Sequence, residues 1–204
     1  MNLEQTYVKN VYEEIANHFD KTRTYLWYGI KQFLLDIPSD SIILDSGCGN
    51  GKNMKINNNS QVIGFDFCEK SVNICKNKQL EVLIANTRTI PFRNNIYDYV
   101  ISIAVLHHIS ENRQEVINEL IRVLKPGGKI FIQVWNNNVK KNKKFIHIKD
   151  NDYFITWFVN KNKKLKRYYH LFEKDEFIIL VKNAGINIKE CIYDHENWII
   201  IGTV

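Results

Sequence analysis

The chain has 204 residues, 45% hydrophobic and 12% aromatic, with a formal net charge of +6; this composition excludes a disordered chain and suits one domain with a substantial core. The opening MNLEQTYVKN has no apolar h-region, and no apolar run approaches the roughly 18–20 residues of a bilayer span. A soluble protein of the cytoplasm, with the nucleus as the alternative and no membrane partner, is therefore expected.

In chain order, Tyr7, Val8, Val11, Tyr12, Ile15, Ala16 and Phe19 recur at helical spacing, and a second helical stretch carries Leu26, Ile30, Phe33 and Leu34 before Pro38. SIILDSGCGNGK then reads as a buried strand running into a glycine turn. VIGFD (62–66) predicts a second strand, followed by a helix around Val72, Ile74 and Cys75. LEVLIAN (80–86) predicts a third strand, at the sheet edge, and YDYVISIAV (97–105) a fourth. A helix over 111–124 stops at Pro126-Gly127-Gly128, which turns the chain into the strand KIFIQVW (129–135). After a lysine-rich 139–167 segment, a helix near 175–184 leads to two final strands, INIKECIYD and NWIIIGTV. The turn between these is too short for a crossover, so they pair antiparallel. Alternating strands and helices imply an α/β fold. A doubly wound seven-stranded sheet ending in an antiparallel hairpin is the outline of the class I methyltransferase fold. The domain is taken as 1–204, with 1–36 a helical substrate-side segment and 139–167 a basic insertion.

The four cysteines (Cys48, Cys68, Cys75, Cys191) form no C-x-x-C pair and have no suggestive histidine spacing. They suit a reducing compartment, and no metal site is expected. Residues 139–167 hold ten Lys/Arg against two Asp, while the rest of the chain is near neutral. Such a block suits a polyanionic partner. A composition with 25 Asn and abundant Lys is the competing explanation.

The sharpest motif is Asp45-Ser46-Gly47-Cys48-Gly49-Asn50-Gly51. Alternate glycines after a strand let the backbone turn tightly and approach a ligand. Asp66 ends the next strand, where an acid accepts hydrogen bonds from ribose hydroxyls, with Phe67 beside it. Lys52 stands where a dinucleotide fingerprint has its third glycine, and an acid directly before the glycines repels pyrophosphate. S-adenosylmethionine, which has no phosphate and carries a sulfonium and an ammonium, fits those charges. Asn86 and Thr87 are then expected near adenine, and Ile103 and Ala104 on the methyl side.

YVKNVYEEIANHFDKTRTYLW (7–27), ILDSGCGNGK (43–52), ISIAVLHHIS (101–110), the Trp157 segment, RYYHLF (167–172) and ENW (196–198) resemble the eukaryotic tRNA wobble-uridine carboxymethyl methyltransferases nearly end to end. The N-terminal block, RYYHLF and ENW carry most of the specificity, since cofactor binding does not require them. Asn86 replaces the family's usual Asp, and Tyr28 its Pro. The resemblance implies methylation of the carboxylate of 5-carboxymethyluridine in the tRNA anticodon loop. It also implies a heterodimer with a small zinc-binding activator subunit. A carboxylate is ionised at neutral pH, so the reaction needs no general base. Arg23, His107, His108, Arg167, Tyr169 and His170 are the candidates to hold the carboxylate and stack the base, each with a structural alternative. Rival readings are a small-molecule methyltransferase and a non-catalytic tRNA-binding scaffold.

Overall fold

The computed structural model describes residues 2–57 and 59–204. Five strands, β1 (Ile42–Ser46), β2 (Gln61–Asp66), β3 (Val82–Ile84), β4 (Tyr97–Ile103) and β5 (Leu124–Trp135), lie parallel. The last two strands of the chain, β9 (Asn187–Asp194) and β10 (Asn197–Thr203), close the seven-stranded sheet, whose order is β3-β2-β1-β4-β5-β10-β9. β10 is antiparallel to both β5 and β9, as the short connection requires. His195 and Glu196 form that connection with φ of 44° and 64°, the two positive values a tight hairpin needs. β3 is the sheet edge, and it is shorter than the predicted strand because only Val82–Ile84 pair with β2.

Helices cover both faces. α4 (Arg113–Val123) and α5 (Lys174–Asn183) bury Val116, Ile117, Leu120, Phe177 and Val181 against Leu44, Val100 and Ile132. α2 (Tyr28–Leu35) buries Ile30 and Leu34 on the opposite face, against Ile43, Ile101 and Phe131. Each such side chain contributes roughly 1.5–3 kcal/mol by leaving water. α3 (Glu69–Asn77) follows β2. Among the described residues no helix is long and apolar enough to cross a membrane.

The lysine-rich segment departs from the sequence expectation. It is not simply a basic insertion but most of a second sheet, antiparallel and ordered β6 (Phe145–Lys149), β7 (Asp152–Phe158) and β8 (Lys164–His170). Its inner face packs Ile155, Tyr169 and Phe145 with Trp135, and Trp157 and Leu165 with Val11 and Ile15. The aromatic and β-branched content of 152–158 favours a strand, a signal hidden by the surrounding Lys and Asn.

The first helix runs in π geometry over Gln5–Lys9 and in α geometry over Asn10–Thr22 (together α1). Three of its acids tie it across the carboxyl ends of the parallel strands. Glu4 accepts from Arg88 (2.7 Å) and from the Ser110 backbone (2.8 Å). Glu13 accepts from the Glu69 and Lys70 amides at the start of α3. Asp20 accepts from Asn50 (3.0 Å) and Lys78 (2.6 Å).

Gly51, at φ +73°, is where the glycine turn meets the core: a Cβ there would lie 2.3 Å from Leu80 and 3.0 Å from the Cys75 sulfur. Gly51→Ala should therefore cost about 2 kcal/mol or more through backbone strain and overpacking. That lowers the melting temperature by about 4–8 °C in a calorimetric scan.

Candidate functional site

A cavity opens between α1, the carboxyl ends of β1, β2 and β4, and the inner face of β8. Gly47, Cys48, Gly49, Asp66, Phe67, Asn86, Thr87, Ile103 and Ala104 line one end. Arg23, His107, His108, Arg167 and Tyr169 line the other.

The first end is built on the turn after β1. Gly47, Gly49 and Gly51 all have positive φ, and the Gly47 and Cys48 amides both donate to the Phe65 carbonyl (2.9 Å each). A Cβ on Gly47 would come within 2.4 Å of Val105, so glycine lets the β4 loop close on the turn. Ala104, at the end of β4, holds φ +61°, a strained value for a non-glycine residue beside a site. Gly51 does not line the cavity; it shapes the turn from behind.

Asp66 accepts from the Gly49 amide on one carboxyl oxygen and the Cys68 amide on the other, both at 2.9 Å. One lone-pair direction on each oxygen is left for a diol. Burial pushes its pKa up to about 6, offset by the Cys68 and Gly49 N–H bonds. Asp45 lies behind the cavity wall, 1% exposed, with Oδ2 unpartnered. Burial, and then the Asp66 charge, raise its pKa to about 7. Asn86 Oδ1 accepts from the Arg88 amide (3.0 Å), and Thr87 Oγ1 meets Ser46 Oγ at 3.1 Å. Cys48 is no nucleophile: the neighbouring Cys75 and burial push its thiol far up.

At the other end Arg167 is 6% exposed and has no carboxylate within ion-pair distance among the described residues. Its charge faces aromatic rings instead: Trp157 at 4.6 Å, Tyr169 at 5.1 Å and Tyr12 at 5.9 Å. Nη1 donates to the Tyr12 hydroxyl (3.2 Å), and Nε is unpartnered. Arg23, at the exposed mouth, sits 4.8 Å from the same Trp157 ring, whose indole N–H donates to His18 Nδ1 (3.0 Å).

The histidines are held neutral. His108 Nδ1 lies 2.8 Å from the Tyr168 carbonyl and so carries the proton, which leaves Nε2 to accept from Tyr12 at 2.9 Å. Burial pushes its pKa down to about 3. His107 stacks on Tyr169 (4.8 Å, 19°) and accepts the Trp135 amide on Nδ1 (3.2 Å), which puts its proton on Nε2. Burial holds it well below the usual imidazole range, with His108 and Arg167 adding to the effect.

His170 does not join them. It projects from the opposite face of β8, with Nδ1 2.7 Å from Asp152 and Nε2 2.7 Å from Glu176. It lies outside the cavity with both ring nitrogens engaged, so contrary to the sequence expectation it is not placed to hold an acceptor carboxylate. Tyr12, Trp135, Asn50 and Lys52 line the cavity without having been singled out. Tyr12 belonged to the helical apolar stripe, and its hydroxyl was the one signal that it does more than pack. Among the described residues, no cluster of His, Cys, Asp and Glu is placed to hold a metal.

Sheet order, glycine turn and acid-ended strands define a class I S-adenosylmethionine-dependent methyltransferase. Residues 44–132 match the methyltransferase-domain family. The fold is shared with a SAM-dependent methyltransferase from Methanosarcina mazei (TM-score 0.73, 19% identity, 87% of this chain and 97% of that one). It is also shared with a structure of a Haloferax volcanii methyltransferase in complex with the Trm112 activator (TM-score 0.75, 14% identity, 96% of each chain). The tRNA (carboxymethyluridine(34)-5-O)-methyltransferase of Schizosaccharomyces pombe is 36% identical over 97% of this chain and 96% of its own length. This chain belongs to that family. The Arabidopsis thaliana enzyme of the same name is 47% identical over 65% of the chain, and Macaca fascicularis ALKBH8 42% over 73%. The chain spans only 33% and 23% of the length of those two relatives.

The acids at the first end fit the cofactor: Asp66 offers free acceptor positions on the cavity, and Asp45, buried behind the wall, a carboxyl whose negative charge favours a cation at this end. Bound S-adenosylmethionine would supply a methyl group activated by the sulfonium. Because the folded pKa of Asp45 lies above its unfolded value, ionising it costs stability as pH rises from about 4 to 7. A cationic ligand recovers that cost only when the carboxylate is charged. Cofactor affinity should thus rise severalfold between pH 6 and 7.5 in calorimetry. Asp45→Asn should bind about tenfold more weakly and lose most of that pH dependence, leaving the part that Asp66 contributes below pH 7.

Proposed function

We propose that the chain methylates the carboxylate of 5-carboxymethyluridine at the tRNA wobble position, giving the methyl ester. The observation that carries this reading is Arg167, a buried guanidinium without a carboxylate partner among the described residues, facing the cavity beside the glycine turn. A buried charge without its counter-ion is costly, and an anionic acceptor completes it. The family membership supports the same substrate. A neutral quinone or lipid acceptor leaves Arg167 unpaired, and a silent scaffold has no use for the paired acids, the glycine turn and the strained Ala104 beside them.

In this reaction Arg167 grips the acceptor carboxylate, with Arg23 adding positive charge at the mouth. Tyr12, pinned between His108 and Arg167, fixes the guanidinium's direction. The neutral His107 presents Nε2–H as a donor, and the ring of Trp135, which lines the cavity, is the candidate to stack the uracil. Catalysis rests on alignment and exclusion of water, because the nucleophile is already an anion. Since both cavity histidines stay neutral, neither adds a slope. Single-turnover methyl transfer at saturating cofactor should be flat from about pH 6 to 9.

The partner follows the same line. A Trm112-type zinc-binding activator would add a strand beside β3, the sheet edge on which Ile84 is 50% exposed. Coexpression with such a subunit should raise soluble yield and activity; a fully active monomer at high concentration counts against the heterodimer.

The decisive measurement uses tritiated methyl donor and tRNA from cells lacking the enzyme. Label released by mild alkali is an ester; label that withstands it overturns the carboxylate assignment. Arg167→Met should lower kcat/KM for tRNA by about 30- to 5000-fold, the range for removing one partner of a buried charged contact. Tyr12→Phe should lower it about tenfold. Both variants should keep cofactor affinity within about twofold of wild type.

A further inference from the structure

The two faces of the β6–β8 sheet differ in kind. Pairing in register places Phe158 opposite Lys164, Thr156 opposite Lys166, and Phe154 opposite both Tyr168 and Ile146, all on the outer face. Part of that face is covered, because Tyr168, Asp152 and His170 are buried and Tyr7 packs on Phe154 at 4.3 Å. The corner that remains is formed by Ile146, Thr156, Phe158, Lys164 and Lys166. Phe158 is 49% and Ile146 39% exposed there. Lys144 reaches over the Phe158 ring (5.8 Å) and Lys166 over Phe154 (5.8 Å). No acidic side chain is among these residues, so the corner is an antiparallel patch in which the exposed Phe158 ring is flanked by lysines, while the neighbouring Lys163 pairs with Glu14.

We propose that this outer corner binds single-stranded RNA flanking the nucleotide held in the cavity, with Phe158 stacking a base and Lys144, Lys164 and Lys166 contacting phosphates. The proposal rests on the tRNA reading above and deepens it by naming the surface. An aromatic platform edged with lysines is the general solution for unpaired nucleic acid, since every base has a π face and every nucleotide a charge. A duplex offers no free base to Phe158, and an apolar protein partner leaves three lysines desolvated without acids to meet them. The surface is also tied to the cavity. Trp157, the residue before Phe158, points inward to Arg23 and Arg167, so the backbone that carries the outer ring also carries the ring against which the two arginines pack.

The test compares Phe158→Ala and the triple variant Lys144→Ser/Lys164→Ser/Lys166→Ser with the wild-type chain, together with its activator subunit if it needs one. Phe158→Ala should raise KM for tRNA about 5- to 20-fold at unchanged kcat, within the range for a stacked base. The triple variant should flatten the salt slope of binding to an anticodon stem-loop RNA by about 0.7–0.9 per lost contact. Cofactor affinity and melting temperature serve as folding controls, and binding to a fully paired RNA should respond to the lysines but not to Phe158. An unchanged tRNA KM and salt slope in well-folded variants overturns the proposal. So does an equal effect of Phe158→Ala on paired RNA, or loss of the activator subunit instead of the RNA. If the wild-type chain methylates no tRNA, the proposed reaction fails. The stem-loop binding measurement still decides whether this corner takes RNA.

Discussion

The substrate half of the molecule is organised around one buried charge. Arg167 lies in the interior without a carboxylate, and a guanidinium cannot shed its proton to escape that cost. Among the described residues its charge faces three aromatic rings and the Tyr12 hydroxyl. Those groups come from three elements: Tyr12 from α1, Trp157 from β7 and Tyr169 from β8 itself. Tyr169 follows from period two on the same strand, whereas Tyr12 and Trp157 would not be in place unless α1 crossed the strand ends and the second sheet packed against it. The acids Glu4, Glu13 and Asp20 hold α1 there, each gripping a loop that also borders the cofactor end. The helix that orients Arg167 therefore also roofs the glycine turn, and the two halves of the site are mechanically joined.

Charge is separated along the cavity, and the histidines keep it so. Asp45 and Asp66 stand at the end that takes a cationic donor; Arg167 and Arg23 stand at the end suited to an anionic acceptor. A protonated His107 or His108 between them would repel the sulfonium and compete with Arg167 for the acceptor. Burial removes that problem by holding both rings neutral, and the Trp135 amide and Tyr168 carbonyl choose their tautomers. The resulting Arg167–Tyr12–His108–Tyr168 chain has one donor and one acceptor at every link and ends on a backbone carbonyl.

Much of this was readable in the amino-acid sequence, for identifiable reasons. The β/α alternation and the two-residue final turn are local signals, and they gave the main sheet and its antiparallel end, although α4 ends at Val123 and Pro126-Gly127-Gly128 lie within β5 rather than before it. The glycine turn and Asp66 were readable because their chemistry needs particular residues at particular spacings. The second sheet was not, since its lysines and asparagines suggested solvent while its pairing depends on packing against a distant helix. That omission explains the misplaced His170. In RYYHLF, Arg167 and Tyr169 share one face of a strand while Tyr168 and His170 take the other. Once the segment is known to be a strand, period two alone removes His170 from the cavity. Tyr12 escaped notice for the opposite reason: a tyrosine on an apolar helical stripe looks like core until the partner of its hydroxyl is seen.

The division of labour follows from what a doubly wound sheet provides. Strand ends and a glycine turn make a site for an adenosyl ligand with any acceptor, because nothing in that sheet addresses the second substrate. Acceptor chemistry has to come from segments added at its open end, here α1 and the β6–β8 sheet. An added segment that is to bury a permanent charge must bring its own core. The inner face of the second sheet does this with Ile155, Tyr169 and Phe145 against Trp135, and Trp157 and Leu165 against Val11 and Ile15. Rigidity matters as much as charge, since a lysine on a flexible loop would neutralise a carboxylate without aiming it. A guanidinium wedged among three rings and tethered through one hydroxyl has few directions left to point. That restriction is what in-line transfer from a fixed donor demands when no general base takes part.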